Sequence, residues 1–356
     1  QVAKMFNLSV SERTLLLATP VLLGSIMRIP VGILSDRFGG KKVYLILMAF
    51  ILIPLIMIPH VHSFGMLLFA ALLVGMSGTS FAVGVSYASV WFPPEQQGLA
   101  LGIVSMGNMG NAVAAMTLPY ISKTAGFDAV YYFLIGLTIV IGVLFAIFCK
   151  EMPVDKTKTL KGALSVAKDS STWYLSLFYF LTFGLFVSFT NLTPTFLTGL
   201  FHFNAVSAGL YSALFAFACT LVRPVGGYIA DKRQPMKLLQ WVFVAIIIFT
   251  IWIMLSYHNE GLFIAGIVLI GLAAGIGNGV VFKMVPYVSK GNTGAVTGFV
   301  GAMGGLGGFF PPLILGYIYQ GTGTYEWGFA LLALVGIICW IALNRHYIHA
   351  NASIMK

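Results

Sequence analysis

The sequence predicts an all-α membrane protein made of two pseudo-symmetric six-helix halves, and three observations predict it. Of 356 residues, 59% are hydrophobic and only 8% are charged, and the mean hydropathy is +0.94, whereas an ordinary soluble domain carries about 25% charged residues. Apolar runs of membrane-spanning length follow one another along most of the chain. A costly device also occurs twice. Arg28-Ile-Pro-Val-Gly32-Ile-Leu-Ser-Asp36-Arg37 returns as Arg223-Pro-Val-Gly-Gly227-Tyr-Ile-Ala-Asp231-Lys232, displaced by 195 residues. So large an offset marks homologous halves rather than a short repeat.

The runs fall near residues 11 to 35, 42 to 60, 65 to 91, 97 to 121, 127 to 149, 171 to 199, 205 to 230, 236 to 257, 261 to 288, 293 to 318 and 325 to 346, which makes 11 spans. The odd number is explained by register. Gly98 and Gly102 match Gly294 and Gly298 at an offset of 196, so the span at 171 to 199 expects its counterpart before residue 1. The expected parent has twelve helices, with its first helix absent from this chain, which opens on Gln1 and a polar stretch through Arg13. The expected domains are therefore an N-terminal half at 1–149, a linker at 150–170 and a C-terminal half at 171–356. The linker shifts to Lys, Asp, Ser and Thr. Leu160, Ala163, Leu164 and Ala167 keep helical spacing, which predicts either a short interfacial helix or a solvated connector.

Charge orients the helices. Fourteen basic residues, among them Arg37, Lys41, Lys42, Lys150, Lys232, Arg233 and Arg345, fall on one side, and only Lys4, Arg13 and Lys123 on the other. Positive residues favour the inner side, so the turns at Asp36 and Asp231, the linker and the C-terminus are expected in the cytoplasm. The net charge of +10 is thereby mostly topological, and with no clustered basic face carrying stacking groups, nucleic acid is not an expected partner. Cys149, Cys219 and Cys339 have no paired spacing, and the six histidines lie at helix ends or in loops. No metal and no cofactor are expected. No nucleophile has a base partner, and the Gly-x-Gly runs lack a strand-loop-helix context, which argues against an enzyme.

The two arginines carry the functional argument. An Arg at the centre of a spanning helix costs about 2.5 to 3.5 kcal/mol by insertion scales, so two in equivalent positions call for a shared compensating partner, most economically an anion. Arg28 precedes Asp36 by eight residues, about 12 Å of helix, which places it near the middle of a roughly 30 Å core. Arg223 takes the same depth by the repeat. Guanidinium groups offer paired N–H donors suited to planar oxyanions, and glycines leave room for only a small ligand.

The turn Gly32 to Lys42, repeated in reduced form around Asp231-Lys232-Arg233, resembles the signature loop of the major facilitator superfamily. Two glycine-rich helices, Gly98 to Asn111 and Gly294 to Pro312, together resemble the paired signatures of the nitrate/nitrite porter family. Gly275-Ile-Gly277-Asn278-Gly279-Val-Val-Phe-Lys283 also looks like that family. The resemblance implies the superfamily fold, alternating access, and nitrate and nitrite as substrates held between the two arginines. It also implies a monomer in the lipid bilayer of a bacterial inner membrane. It places Tyr179 and Phe183 at pocket-lining positions, with Asn108 and Asn278 adding polar contacts, Phe81 a further wall, and Gly107, Gly304 and Gly305 in the narrow glycine faces. Asp36, Arg37, Asp231, Lys232 and Arg233 fall to gating, the aspartates pairing with basic residues. Gly-x-x-x-Gly spacing also serves plain helix packing, and Lys283 is expected to snorkel to the cytoplasmic face.

Coupling is read from the acids. All ten, Glu12, Asp36, Glu95, Asp128, Glu151, Asp155, Asp169, Asp231, Glu260 and Glu326, lie at or near span ends. None is placed to carry a proton at mid-depth, which favours nitrate/nitrite antiport. Nitrate/proton symport, which also occurs in the family, and a passive small-anion channel remain the alternatives.

Overall fold

The structure, a computed structural model, describes residues 6, 10–151, 164–289 and 291–350. The described residues form helices: α1 (Val10–Ile26), α2 (Arg28–Phe38), α3 (Gly40–Met57), α4 (Phe64–Val74), α5 (Ser80–Ser89), α6 (Gln97–Ser105), α7 (Met109–Ala125), α8 (Phe127–Phe148), α9 (Ser170–Phe201), α10 (Ala205–Leu221), α11 (Arg223–Lys232), α12 (Pro235–Leu255), α13 (Glu260–Ser289), α14 (Thr293–Thr322) and α15 (Glu326–Ala350). Among the described residues, 10 helices are long and apolar enough to cross a membrane, each span joining shorter segments where a tight turn intervenes. The first of the expected 11 runs is present as α1 and α2, divided at Met27. Residues 152–163, with Leu160 and Ala163 of the proposed linker helix, lie outside the described residues. Leu164 follows them and Ser165–Lys168 forms one tight turn.

The divisions at Met27 and Val222 have one cause. Helical hydrogen bonding runs into and out of each break, from Met27 N–H to the Leu23 carbonyl (2.9 Å) and from Val222 N–H to the Ala218 carbonyl (3.2 Å). Pro30 and Pro224 then supply no N–H for the carbonyls of Ile26 and Thr220 four residues earlier. Each arginine is the first residue after its break.

Two compact units are defined by packing. One contains Gln1–Trp91, Val113–Val166 and Gly291–Ala302; in it α3 packs on α8, α2 on α5, and α1 on α4 and the tight turn Gly75–Thr79. The other contains Phe92–Ala112, Ala167–Lys290 and Met303–Lys356; in it α13 packs against α9, α10, α11, α12 and α6, while α12 also meets α15. The start of α14 thus belongs with the first unit and α6 with the second.

Glycine pairs set the closest approaches inside each unit. A Cβ built on Gly32 would stand 2.1 Å from the Gly294 carbonyl oxygen, and one on Gly294 would stand 2.2 Å from that of Gly32. The second unit repeats the contact: Gly227 toward Gly98 at 1.9 Å and Gly98 toward Gly227 at 2.2 Å. Both sides are backbone, so neither can yield as a side chain would. Gly227→Ala is expected to destabilise by about 3 kcal/mol or more, the upper end of overpacking penalties, read as a lower midpoint of thermal inactivation in detergent. An unchanged midpoint would show that the helices separate at little cost.

Candidate functional site

In the first unit, Arg28 is half-buried and reaches two backbone carbonyls, with Nε donating to Gly78 (3.0 Å) and Nη1 to Gly301 (2.5 Å). Small residues permit this. A Cβ on Gly301 would lie 3.1 Å from Arg28 Cδ, and one on Gly298 would lie 2.5 Å from the Arg28 carbonyl oxygen. In the second unit Arg223 is fully buried at 0% exposure. Its Nη1 donates to the Ser105 carbonyl at 3.3 Å, and a Cβ on Gly102 would lie 2.9 Å from its own carbonyl oxygen. Ser105 and Gly301 are 196 residues apart, the offset of the glycine signatures. Both arginines therefore donate to the same repeat position, a carbonyl that sequence cannot mark because any residue supplies one.

The environments of the two arginines differ in what is left over. Arg223 Nε and Nη2 have no oxygen or nitrogen partner among the described residues. The guanidinium carbon sits 4.7 Å from the Phe186 ring centroid and 5.6 Å from that of Phe183, a cation–π arrangement that offsets part of the desolvation. The Cys219 thiol, one turn earlier, lies within electrostatic reach. Buried donors on a charged group without acceptors are costly.

Around it the second unit gathers most of the expected site. Tyr179, Phe183 and Phe186 recur at helical spacing on one face of α9. Tyr179, at 0% exposure, stacks on Phe183 with centroids 4.9 Å apart and stands edge-on to Phe282 at 4.8 Å. Gly304 makes that stack possible, because a Cβ there would come within 2.3 Å of Tyr179 Cδ1. Asn108 Nδ2 donates to the same Ser105 carbonyl that receives Arg223, at 3.1 Å. Asn278 on α13 is fully buried, and among the described residues neither its Nδ2 nor its Oδ1 has a partner; the next residue, Gly279, would place a Cβ 2.2 Å from the Arg223 carbonyl oxygen. Gly305 is buried beside Gly304, while a Cβ on Gly107 would meet nothing within 4 Å. Phe81 lies on α5, in the first unit with Arg28. Phe186 and Ser105 are the members missed from the sequence. The i, i+4, i+7 spacing from Tyr179 could have indicated Phe186.

The acidic residues act on helix starts. Asp36 accepts from the backbone N–H groups of Gly294 (2.9 Å) and Ala295 (3.0 Å) and from the Ser86 hydroxyl (2.9 Å). Asp231 accepts from the N–H groups of Gly98 and Leu99, both at 2.8 Å. Each carboxylate thus caps the first turn of a helix, α14 or α6, where unpaired N–H groups and the helix dipole favour negative charge. Glu151 does the same for α3, accepting from Lys41 N–H at 3.1 Å and Lys42 N–H at 3.2 Å.

Lys283 departs from the snorkelling expected of it. Its ammonium is buried against Asp231 at 2.6 Å, with side-chain exposures of 3% and 5%, and it also donates to the Pro94 carbonyl. A fixed ion pair and a carbonyl satisfy it inside, where the span alone suggested a reach to water. Arg37, Lys232 and Arg233 are exposed; Arg37 lies over the Phe38 ring and Lys232 over that of Tyr228. Among the described residues, no group of three or more His, Cys, Asp or Glu side chains could hold a metal ion.

A polytopic α-helical protein whose duplicated segments each set an arginine just after a helix break has the build of a membrane transporter. The family model described as Major Facilitator Superfamily matches residues 1–285. The "Nitrite extrusion protein" of Bacillus subtilis (strain 168) is 37% identical over 351 residues, covering 98% of this chain and 88% of the relative. The "Probable nitrate transporter NarT" of Staphylococcus epidermidis is 37% identical over 347 residues, covering 97% and 88%. Solved structures agree in fold: the human organic anion transporter MFSD10 superposes with a TM-score of 0.78 at 15% identity, covering 92% of this chain and 82% of that one. The fucose:proton symporter FucP of E. coli gives 0.75 at 12% identity, covering 94% and 90%. The chain belongs to the major facilitator superfamily and, within it, to the nitrate/nitrite porter family. It is a multi-pass membrane transporter, not an enzyme.

Proposed function

We propose that this protein exchanges nitrate and nitrite across a bacterial plasma membrane by alternating access, with Arg28 and Arg223 as the anion-binding cations. The observation that carries the reading is Arg223, whose buried Nε and Nη2 lack acceptors beside two phenyl rings. Two donors in one plane match two oxygens of a small planar oxyanion, and the relatives' names supply the substrate. Asn278, whose amide is likewise without partners, adds a donor and an acceptor. Tyr179 narrows the cavity and offers its hydroxyl. The sequence halves 1–149 and 171–356 serve as the alternating repeats. Asp36 and Asp231 hold one end of the helices through α14 and α6, on the side that the basic residues assign to the cytoplasm.

Exchange of two monovalent anions moves no net charge, so the membrane potential neither opposes nor drives it. Asp36 and Asp231 are both engaged at helix starts, which supports antiport over proton coupling. Proteoliposomes of the full-length protein, loaded with nitrite and given labelled nitrate, test this. Antiport requires internal nitrite and ignores an imposed pH gradient. Uptake into empty vesicles that follows the proton gradient would replace antiport by symport, and flux that merely collapses the nitrate gradient would indicate a channel.

Tyr179→Phe removes one hydrogen bond to an anion, worth about 1.5 to 3 kcal/mol. The half-saturation concentration for nitrate is expected to rise by about tenfold or more with maximal rate retained. An unchanged value would take the hydroxyl out of the binding site.

A further inference from the structure

The turn joining α11 to α12 holds a feature apart from the candidate anion site. Lys232, Arg233 and Lys237 line an open cleft of about 650 Å³ together with Ile229, Leu238 and Trp241. Neither Arg223 nor Tyr179, Phe183 or Asn278 lines it. The three cations are exposed, and among the described residues none has a carboxylate within ion-pair distance. Asp231, next to Lys232 in sequence, is committed to Lys283 at 2.6 Å and to the start of α6. The concentration of positive charge is therefore not neutralised from within.

The rest of the cleft is apolar. Trp241 is 72% exposed nearly two turns into α12, and Leu238 and Ile229 also line the cleft. The cleft lies where two spans end, Val206–Lys232 and Pro235–Leu255, at the depth of lipid headgroups, where tryptophan is favoured. Cations and an amphipathic ring lining one cleft match a ligand with an anionic head and a hydrocarbon body. We propose that this cleft is a binding site for the headgroup phosphate of an anionic phospholipid, held by Lys232, Arg233 and Lys237, with its glycerol and upper acyl chain against Trp241 and Leu238. A free phosphate would use the cations and leave the apolar wall without a role.

The test uses the full-length protein in nanodiscs of phosphatidylcholine with phosphatidylglycerol, extracted gently and weighed by native mass spectrometry. Wild-type protein is expected to retain phosphatidylglycerol. Arg233→Gln with Lys237→Gln should reduce retention roughly thirtyfold, about fivefold for each basic group held near an anionic headgroup, and Trp241→Ala should also reduce it. Lys150→Gln with Lys168→Gln, which removes the same charge elsewhere, should leave it intact. Equal retention in the Arg233/Lys237 variant, or equal loss in both double variants, would overturn the site in favour of none or of diffuse attraction. Displacement by millimolar inorganic phosphate with no effect of Trp241→Ala would overturn the lipid assignment in favour of a soluble anion.

Discussion

Arg223→Lys should reduce nitrate transport by about a hundredfold or more while leaving expression and monodispersity unchanged. The charge survives, but the planar fork does not, and a lysine ammonium cannot present the two parallel donors that Nε and Nη2 now hold without protein acceptors. Hydrogen bonds to charged groups contribute about 1.5 to 3 kcal/mol each, so losing even one accounts for one to two orders of magnitude. The shorter stem also leaves Phe183 and Phe186 without the flat cation they flank. Arg28→Lys should be similarly severe, because its Nε and Nη1 hold the side chain to Gly78 and Gly301 in an orientation that lysine cannot copy. Near-normal uptake of labelled nitrate by both variants in proteoliposomes would remove the arginines from substrate recognition.

Asp231→Asn is expected to cost stability on the order of 3–5 kcal/mol, the penalty for stranding one member of a buried ion pair. Lys283 would be left without a counter-ion in a nearly dry setting, with the Pro94 carbonyl and the Tyr287 ring beside it, and the start of α6 would lose its carboxylate. The second substitution makes the test specific. Lys283→Met added to Asp231→Asn removes the stranded charge and should recover much of the loss, since apolar replacement of a whole buried pair is often close to neutral. Midpoints of thermal inactivation in detergent measure both. If the single variant matches wild type, or the double variant is additively worse, the pair does not hold this unit together.

Much of this was legible beforehand because costly features stand out against an apolar background. Arg28 and Arg223, their trailing Gly and Asp residues and the paired glycine helices marked the repeat and the candidate anion site. Tyr179 and Asn278 lie buried in the same unit as Arg223. What sequence could not indicate were partners contributed by backbone. The carbonyls of Ser105 and Gly301 and the N–H groups of Gly98 and Gly294 belong to every residue type and come from more than a hundred positions away. Lys283 was misjudged for a related reason: its distance from a span end is readable, but the carboxylate it meets is set by how α11 and α13 pack.

The caps on α6 and α14 also shape how this protein can be broken by mutation. Their donors are peptide groups, but two of them belong to Gly98 and Gly294, where any added Cβ would stand 2.6 or 2.8 Å from the capping carboxylate itself. A genetic selection for lost transport should therefore recover alleles at Gly98 and Gly294 as well as at Asp36 and Asp231, and few at Leu99 or Ala295, whose N–H groups survive a change of side chain.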